Sequence, residues 1–412
     1  MGDILHALPA VTALRQAHPN WVIDWVVEPH WQALLGAESA GQEGAPEGLK
    51  PHCPIFSADG TSEQAAKKVL ITDEKPEKHT SGPKGPIDLL GFIPGINPRP
   101  TARTSFSASC EAVPFQNARD LARPVVDGLH FASTKQWRRQ LLSRKTLREI
   151  KTLRQELRAG DYDAVIDLQG AIRSALVARL AGCRRVIGEA EPRERAARRL
   201  FTETVATRGA HVIEQDVELA AAIAGDDLKP VRPWLPVDAV AEAWADGRLG
   251  SQGRVVLINP GAGWGAKRWP VERYSEVAKS LMGRGFRVVV NAGPGEEALA
   301  NRIVQETGGA ATPLLCSMAQ LIALTRRVEL VIAGDTGPLH LACALGKPVV
   351  GIYGPTDPSR NGPFGTRYKV LRNPESRRDH TRHERPEAGL LTIEPADVVN
   401  AATELLETEN AS

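Results

Sequence analysis

Apolar residues recur at helical spacing over residues 4–16, the run stops at His18-Pro19-Asn20, and residues 21–27 follow as a strand of alternating and continuous apolar character. An α/β layer opens there. From Gly36 to about Arg123 the pattern is lost among Gly, Pro, Ser and Lys, with breaks at Lys75-Pro76, Gly82-Pro83, Gly85-Pro86 and Arg99-Pro100. Val69-Leu70-Ile71 and residues 89–93 supply too little period for a packed extra domain, so this stretch reads as a low-order insertion. Periodicity returns in a basic helical region ending near Gly160, a buried strand over residues 164–168, a helix over 172–181 and another within 209–224.

Residues 226–253, with Pro230, Pro233 and Pro236 around Trp234, have the character of an interdomain connection, and 239–248 can form a short helix inside it. Beyond Arg254 the alternation is regular. Strands are expected at 255–259, 287–291, 330–333 and 348–353, with helices at 271–285, 296–307, 318–326 and 339–345, and a last helix at about 395–408. Strand–helix alternation of this kind implies a parallel sheet with helices on both faces and ligands bound outside the carboxyl ends of the strands. The chain therefore divides into an N-terminal α/β domain over 1–225 (with 36–131 as the insertion), a linker over 226–253, a C-terminal α/β domain over 254–392, and a helix and tail over 393–412.

At 412 residues a single small domain is excluded. Lys and Arg number 51 against 49 Asp and Glu, a net charge of +2, so overall charge does not argue for nucleic-acid binding and affinity for anions must come from local patches. No stretch approaches the roughly 18 apolar residues of a membrane span, and no secretory signal is recognisable. Met1-Gly2 is followed by His6 where an acylation motif needs Ser or Thr. Cys53, Cys110, Cys183, Cys316 and Cys343 are odd in number, widely spaced and without a Cys-x-x-Cys pair, which fits neither a disulfide framework nor a zinc site. A reducing cytoplasm is the expected compartment.

Candidate chemistry sits where strands meet helices. Gly334-Asp335-Thr336-Gly337-Pro338 joins an apolar strand to a helix whose first turn tolerates Pro and whose free N–H groups suit a phosphate; the alternative is that Asp335 or Thr336 merely caps that helix. The loop from Asn259 through Gly261, Gly263 and Gly265 to Lys267-Arg268-Trp269-Pro270 is glycine-rich and ends in cations, yet has neither P-loop nor dinucleotide-fold spacing. Glu296 or Glu297, after a third strand, can accept from ribose hydroxyls or simply complement the helix dipole. Asp3 can be a helix cap or a general base, and His6, on an apolar helix face, reads as structural. The cations Lys135, Arg138, Arg139 and Arg173 suit an acidic acceptor, an anionic membrane surface or a solvated face.

Taken together, six segments resemble the ADP-heptose:lipopolysaccharide heptosyltransferases: residues 2–10 (Gly2-Asp3-Ile4-Leu5-His6 onward), Asp24-Trp25-Val26-Val27-Glu28, residues 165–170 ending in Asp167-Leu168-Gln169-Gly170, Lys267-Arg268-Trp269-Pro270, residues 334–340, and residues 353–358. Within that family the second and fourth are most similar to heptosyltransferase I. The resemblance implies a GT-B fold, two Rossmann-like domains facing a cleft, and inverting, metal-independent transfer of heptose from ADP-heptose to the Kdo region of lipid A, at the cytoplasmic face of the inner membrane. No cofactor and no nucleic-acid partner are implied. It makes Asp3 the base, sets Lys267 and the amides around Thr336 and Gly337 on the diphosphate, and gives Glu296 (or Glu297) the ribose. Gly261, Asp335 and His340 belong to the donor site, and Lys135, Arg138, Arg139 and Arg173 face the acceptor. The resemblance also has the C-terminal helix cross back to the N-terminal domain. A sugar-nucleotide-binding protein with impaired catalysis, or a heptosyltransferase acting at another core position, are the alternatives.

The family pattern places a hydrophobic strand before Gly2-Asp3, where this sequence has only Met1. The expectation is an N-terminal sheet lacking its first central strand, a native start about ten residues upstream, and an insertion whose removal over residues 40–125 leaves activity intact.

Overall fold

The computed structural model describes residues 1–36, 68–72, 125–250, 253–376 and 384–407. Two six-stranded sheets form its frame, and every strand pairing in both is parallel. The first contains β1 (Val22–Val27), β2 (Lys68–Thr72), β3 (Gly128–Phe131), β4 (Ala164–Asp167), β5 (Val186–Glu189) and β6 (Glu203–Val205), in the order β3-β1-β2-β4-β5-β6. Its helices are α1 (Gly2–Ala17), α2 (Thr134–Arg139), α3 (Arg144–Ala159), α4 (Ile172–Leu180) and α5 (Val212–Ala224). After α6 (Ala239–Leu249), the second sheet has β7 (Val255–Asn259), β8 (Arg287–Asn291), β9 (Thr312–Leu314), β10 (Leu330–Gly334), β11 (Val349–Tyr353) and β12 (Tyr368–Arg372), ordered β12-β11-β10-β7-β8-β9. With it go α7 (Val271–Gly283), α8 (Glu297–Glu306), α9 (Met318–Arg327), α10 (Gly337–Ala344), the short α11 (Pro358–Asn361) and α12 (Pro395–Glu407). The expected α/β architecture is present in both halves.

The centre of the first sheet corrects two expectations. It is filled, by β2, which comes from inside the stretch read as low-order. Lys68–Thr72 lies between β1 and β4, with Ile23 beside Val69, Trp25 beside Ile71, and Ile71 in turn beside Ile166. Val69, Leu70 and Ile71 are fully buried, their backbone groups bonded on both sides as a central strand requires. The same stretch also supplies β3 at the edge, and Val125 and Val126 join the core. Residues 37–67 and 73–124 lie outside the described residues. Removing 40–125 would thus take away a core strand, and the expectation that such a deletion is harmless does not stand.

The last helix differs too. Instead of crossing to the first sheet, α12 packs on α7 and against β10, β11 and β12 of the second. Its apolar side chains Val398, Ala402 and Leu406 complete that sheet's outer core. The connecting stretch is likewise tied down: α6 packs on α9, with Glu242 paired to both Arg326 and Arg327. The halves meet where α1 packs on α10. In a parallel sheet all carboxyl ends share one edge, and α1, which precedes β1, has its N-terminus at that edge. Both helix starts therefore face the crevice between the sheets.

Candidate functional site

The carboxyl ends of the central strands bring the candidate residues together from both halves. At the end of β10, the Asp335 side chain is 9% exposed and bound by two cation-capable partners: the Lys267 ammonium to Oδ2, and His340 Nε2 to Oδ1 at 3.1 Å. Burial alone would raise its pKa, but the His340 hydrogen bond and the Lys267 charge outweigh burial and hold the carboxyl well below the ordinary range. It stays an anion and fixes Lys267 beside the loop, 4.9 Å over the Trp264 ring.

Neither capping alternative for this turn is realised. Thr336 occupies the N-cap position of α10 without a side-chain cap, its hydroxyl turned back to the Gly334 carbonyl at 3.2 Å. Gly337 is needed because Met1 packs directly on it: a Cβ there would lie 2.4 Å from the Met1 methyl. That contact sets the first turn of α1 against the first turn of α10, so two helix N-termini with their partial positive charge converge on one spot.

Asp3 stands in the first turn of α1, whose N-cap is Met1, and it does not cap the helix. Its Oδ2 instead accepts from Gln169 Nε2 at 3.4 Å. Gln169 is placed by the loop after β4. Asp167 Oδ1 accepts from the N–H groups of Gln169 (2.9 Å) and Gly170 (3.1 Å), and Oδ2 from the Ser174 hydroxyl (2.9 Å). Burial, only partly offset by those bonds, pushes the Asp167 carboxyl up to about 7. Asp167 therefore shapes the loop that carries Gln169, and Arg173 follows in the first turn of α4.

On the second sheet Glu296 turns toward the glycine loop, accepting from Ala262 N–H at 3.1 Å, with the Arg268 guanidinium 3.7 Å away. Gly261 makes room for it, since a Cβ there would lie 1.9 Å from Glu296 Oε2. Burial raises the Glu296 pKa against the Arg268 charge and the bonds from Ala262 and Gly293. Glu297, by contrast, is half-buried and accepts from Gly295 N–H at the start of its own helix. Of the remaining family-like segments, Trp269 is a core brace whose indole N–H donates to the Ile393 carbonyl at 3.1 Å. Buried Glu28 holds the start of α2, accepting from Thr134 Oγ1 (3.2 Å) and Lys135 N–H (3.3 Å). Lys135, Arg138 and Arg139 are carried on α2 and apart from the Asp335 cluster, leading from the carboxyl edge.

His6, structural by its apolar helix face, is more than that. Its Nε2 lies 3.2 Å from His340 Nδ1, so Asp335, His340 and His6 form one line of hydrogen bonds running from the second half into α1. With Asp335 accepting from His340 Nε2–H, His340 Nδ1 is left as the acceptor for His6 Nε2–H, a tautomer assigned from the partners. Burial, then the neighbouring His340 and His211 rings, keep His6 neutral far below its ordinary titration range. Only a helix-period position facing the cleft hints at this in the sequence, because its partner is 334 residues away.

His211 closes the group, 5.8 Å from His6 between ring centres. Its Nδ1 accepts from Ile213 N–H (3.2 Å) and Nε2 donates to the Gly362 carbonyl (3.1 Å), which bridges the two halves. Burial lowers its pKa to about 4, the Gly362 bond opposing. In the unfolded chain this ring takes a proton below about 6.5, whereas the folded one refuses it down to about 4. Its stabilising effect is thus complete above pH 6.5 and is lost as pH falls toward 4, by about 2 kcal/mol at pH 5. Asp167, with a raised pKa, tilts stability the opposite way and is common to both proteins compared. Urea unfolding of wild type and His211→Asn, which keeps a capping oxygen, is expected to show a smaller loss from pH 7.5 to pH 5 in the variant; equal losses would refute the assignment.

Among the described residues no helix is long and apolar enough to cross a membrane. The sequence pattern of glycosyltransferase family 9 (heptosyltransferase) matches residues 150–390. Lipopolysaccharide heptosyltransferase 1 of Escherichia coli K12 is 30% identical over 246 residues, covering 58% of this chain and 76% of that protein. The Pseudomonas aeruginosa protein of the same name is 30% identical over 246 residues, 59% of this chain and 68% of its own length. The structure is similar to a family 9 glycosyl transferase from Veillonella parvula (TM-score 0.67, 17% identity, 99% of this chain and 95% of that one). It is also similar to E. coli heptosyltransferase WaaC with ADP-2-deoxy-2-fluoro heptose (TM-score 0.63, 21% identity, 99% and 96%). These likenesses establish the two-sheet arrangement as GT-B. With more than half of its length matched to the family pattern, the chain belongs to glycosyltransferase family 9, the heptosyltransferases.

Proposed function

We propose that this enzyme moves heptose from ADP-heptose to the Kdo region of lipid A with inversion and without a metal ion, as a peripheral protein at the cytoplasmic face of the inner membrane. The N-terminal half, residues 1–225, receives the acceptor and the C-terminal half, 254–392, the donor. The observation that carries this reading is the packing of Met1 on Gly337, which sets the first turn of α1, with Asp3, against the first turn of α10, whose preceding Asp335 holds Lys267. In the proposed step the acceptor hydroxyl oxygen forms a bond to the anomeric carbon while the bond from that carbon to the β-phosphate oxygen breaks on the opposite face. The hydroxyl proton goes to the Asp3 carboxylate, and ADP leaves with the bonding pair. Lys267 and the amides of Thr336 and Gly337 meet the charge that grows on the diphosphate. That cationic and dipolar complement supports a metal-independent departure. Asp335 and His340 hold the turn and the ammonium in place, Glu296 takes the ribose beside Gly261, and Arg173 with Lys135, Arg138 and Arg139 receives acceptor carboxylates and phosphates.

Transfer from ADP-heptose to Kdo-lipid A in the presence of EDTA tests it, with the anomeric configuration of the product read by NMR. Transfer with inverted configuration and an undiminished rate is expected. Retained configuration, or a rate that returns only on adding a divalent cation, would overturn the mechanism. ADP binding with no transfer to this acceptor would favour a different core position or a binding protein.

A further inference from the structure

The turn between α2 and α3 displays apolar side chains that packing does not explain. Leu141 and Leu142 are 59% and 91% exposed, and Leu147, in the first turn of α3, is 55% exposed. The turn itself is well built. Ser143 N–H donates to the Gln140 carbonyl at 3.0 Å, the Ser143 hydroxyl caps α3 by accepting from Thr146 N–H at 3.1 Å, and buried Trp137 donates its indole N–H to Glu149 at 2.8 Å, tying α2 to α3. Around the leucines stand cations: residues 134–148 contain Lys135, Arg138, Arg139, Arg144, Lys145 and Arg148 and no carboxylate. All but Lys135 are exposed.

Position in the fold adds a third fact. α2 leaves the carboxyl end of β3 and α3 leads back toward the amino end of β4, so the turn hangs at the edge of the sheet that also carries Asp3 and Gln169. Scattered exposed leucines are ordinary on a protein surface, and so is a cationic helix face. Two adjacent leucines on an ordered turn, ringed by cations, at the acceptor edge, are a different matter.

We propose that this turn is a membrane-docking surface. Leu141 and Leu142 enter the headgroup–acyl boundary of a bilayer, and Arg144, Lys145 and Arg148 meet anionic phospholipid headgroups, the two contributions that together hold an interfacial protein. The inference rests on the proposed lipid-linked acceptor, because it turns the crevice toward the surface in which that acceptor is embedded. Charge sets the salt dependence and the leucines set what survives salt.

Co-sedimentation of the full chain with phosphatidylglycerol-containing vesicles, against phosphatidylcholine vesicles, tests it without any substrate. Wild type is expected to bind the anionic vesicles; Leu141→Ser with Leu142→Ser is expected to reduce binding at least tenfold at 0.3 M salt, and Arg144→Gln with Lys145→Gln and Arg148→Gln to reduce it chiefly at low salt. Both variants are expected to keep wild-type circular dichroism and wild-type transfer to a deacylated, water-soluble acceptor. Unchanged vesicle binding in the leucine variant, or binding only when the vesicles contain lipid A, would overturn the proposal. Failure of transfer in the wild type with vesicle binding intact would instead refute the proposed reaction and leave the surface standing.

Discussion

Ile71→Asp is expected to abolish folding of the N-terminal half. Ile71 is fully buried in β2, between Trp25 of β1 and Ile166 of β4, in the apolar core of the first sheet. Burying that charge costs more than about 5 kcal/mol, comparable with the whole stability of a domain. The measurement is the near-ultraviolet circular dichroism and urea midpoint of wild type, Ile71→Val and Ile71→Asp. Ile71→Val, which trims one methylene in place, is expected to cost about 1 kcal/mol and keep the fold. A cooperative transition in Ile71→Asp at the wild-type midpoint would mean that Lys68–Thr72 does not hold the sheet together. The same argument governs deletions: any that removes β2 leaves β1 and β4 without their shared partner, their inward backbone groups unpaired.

That strand also marks where reading the sequence stops. The strands at the middle of the second sheet, β7, β10 and β11, are continuous apolar runs with every residue buried, and such runs are visible in the sequence as they stand. Val69-Leu70-Ile71 has the same character, but three apolar residues between Lys67-Lys68 and Thr72-Asp73-Glu74 carry no period of their own. What makes them a core strand is pairing with residues about 46 positions before and 95 after, as with Ile23 beside Val69 and Leu70 beside Val165, and pairing over such distances leaves no local trace. Edge strands were hidden for another reason. β6 and β12 are short and partly exposed, their sequences Glu203-Thr204-Val205 and Tyr368-Lys369-Val370-Leu371-Arg372 being compatible with loops until a neighbour fixes them. In the site, Asp335, Thr336 and Gly337 were legible because a strand, a turn and a helix with Pro338 follow one another in sequence. Their consequences were not: the Lys267 ion pair, the His340–His6 link and the Met1 contact on Gly337 all join residues far apart in the chain. His6 looked like core because its helix face is apolar, and it is buried; only the partner distinguishes a structural imidazole from one that couples two halves of a crevice.

Asp3→Asn is expected to lower kcat for transfer about a thousandfold while leaving ADP affinity within threefold of wild type, the loss typical of removing a positioned general base. Asparagine is the same size, and its side-chain oxygen can still accept from Gln169 Nε2, so the helix start and the Met1–Gly337 contact survive. What it lacks is a place for the acceptor proton. Lys267→Ala makes the contrasting case. It removes the ammonium that faces Asp335, leaving a largely enclosed carboxylate with His340 as its remaining hydrogen-bond partner, and is expected to weaken ADP binding as well as kcat. Isothermal titration with ADP and steady-state transfer rates on the three proteins separate the two roles. Asp3→Asn retaining more than a tenth of wild-type kcat would move the base elsewhere. Asp3→Asn losing ADP affinity in parallel with kcat would make Asp3 part of the donor seat, an outcome the convergence of α1 and α10 on one spot makes structurally intelligible. A pure kcat effect is the result that the geometry favours, because Asp3 is held by Gln169 of the N-terminal sheet, whereas Lys267 is held by Asp335 of the second.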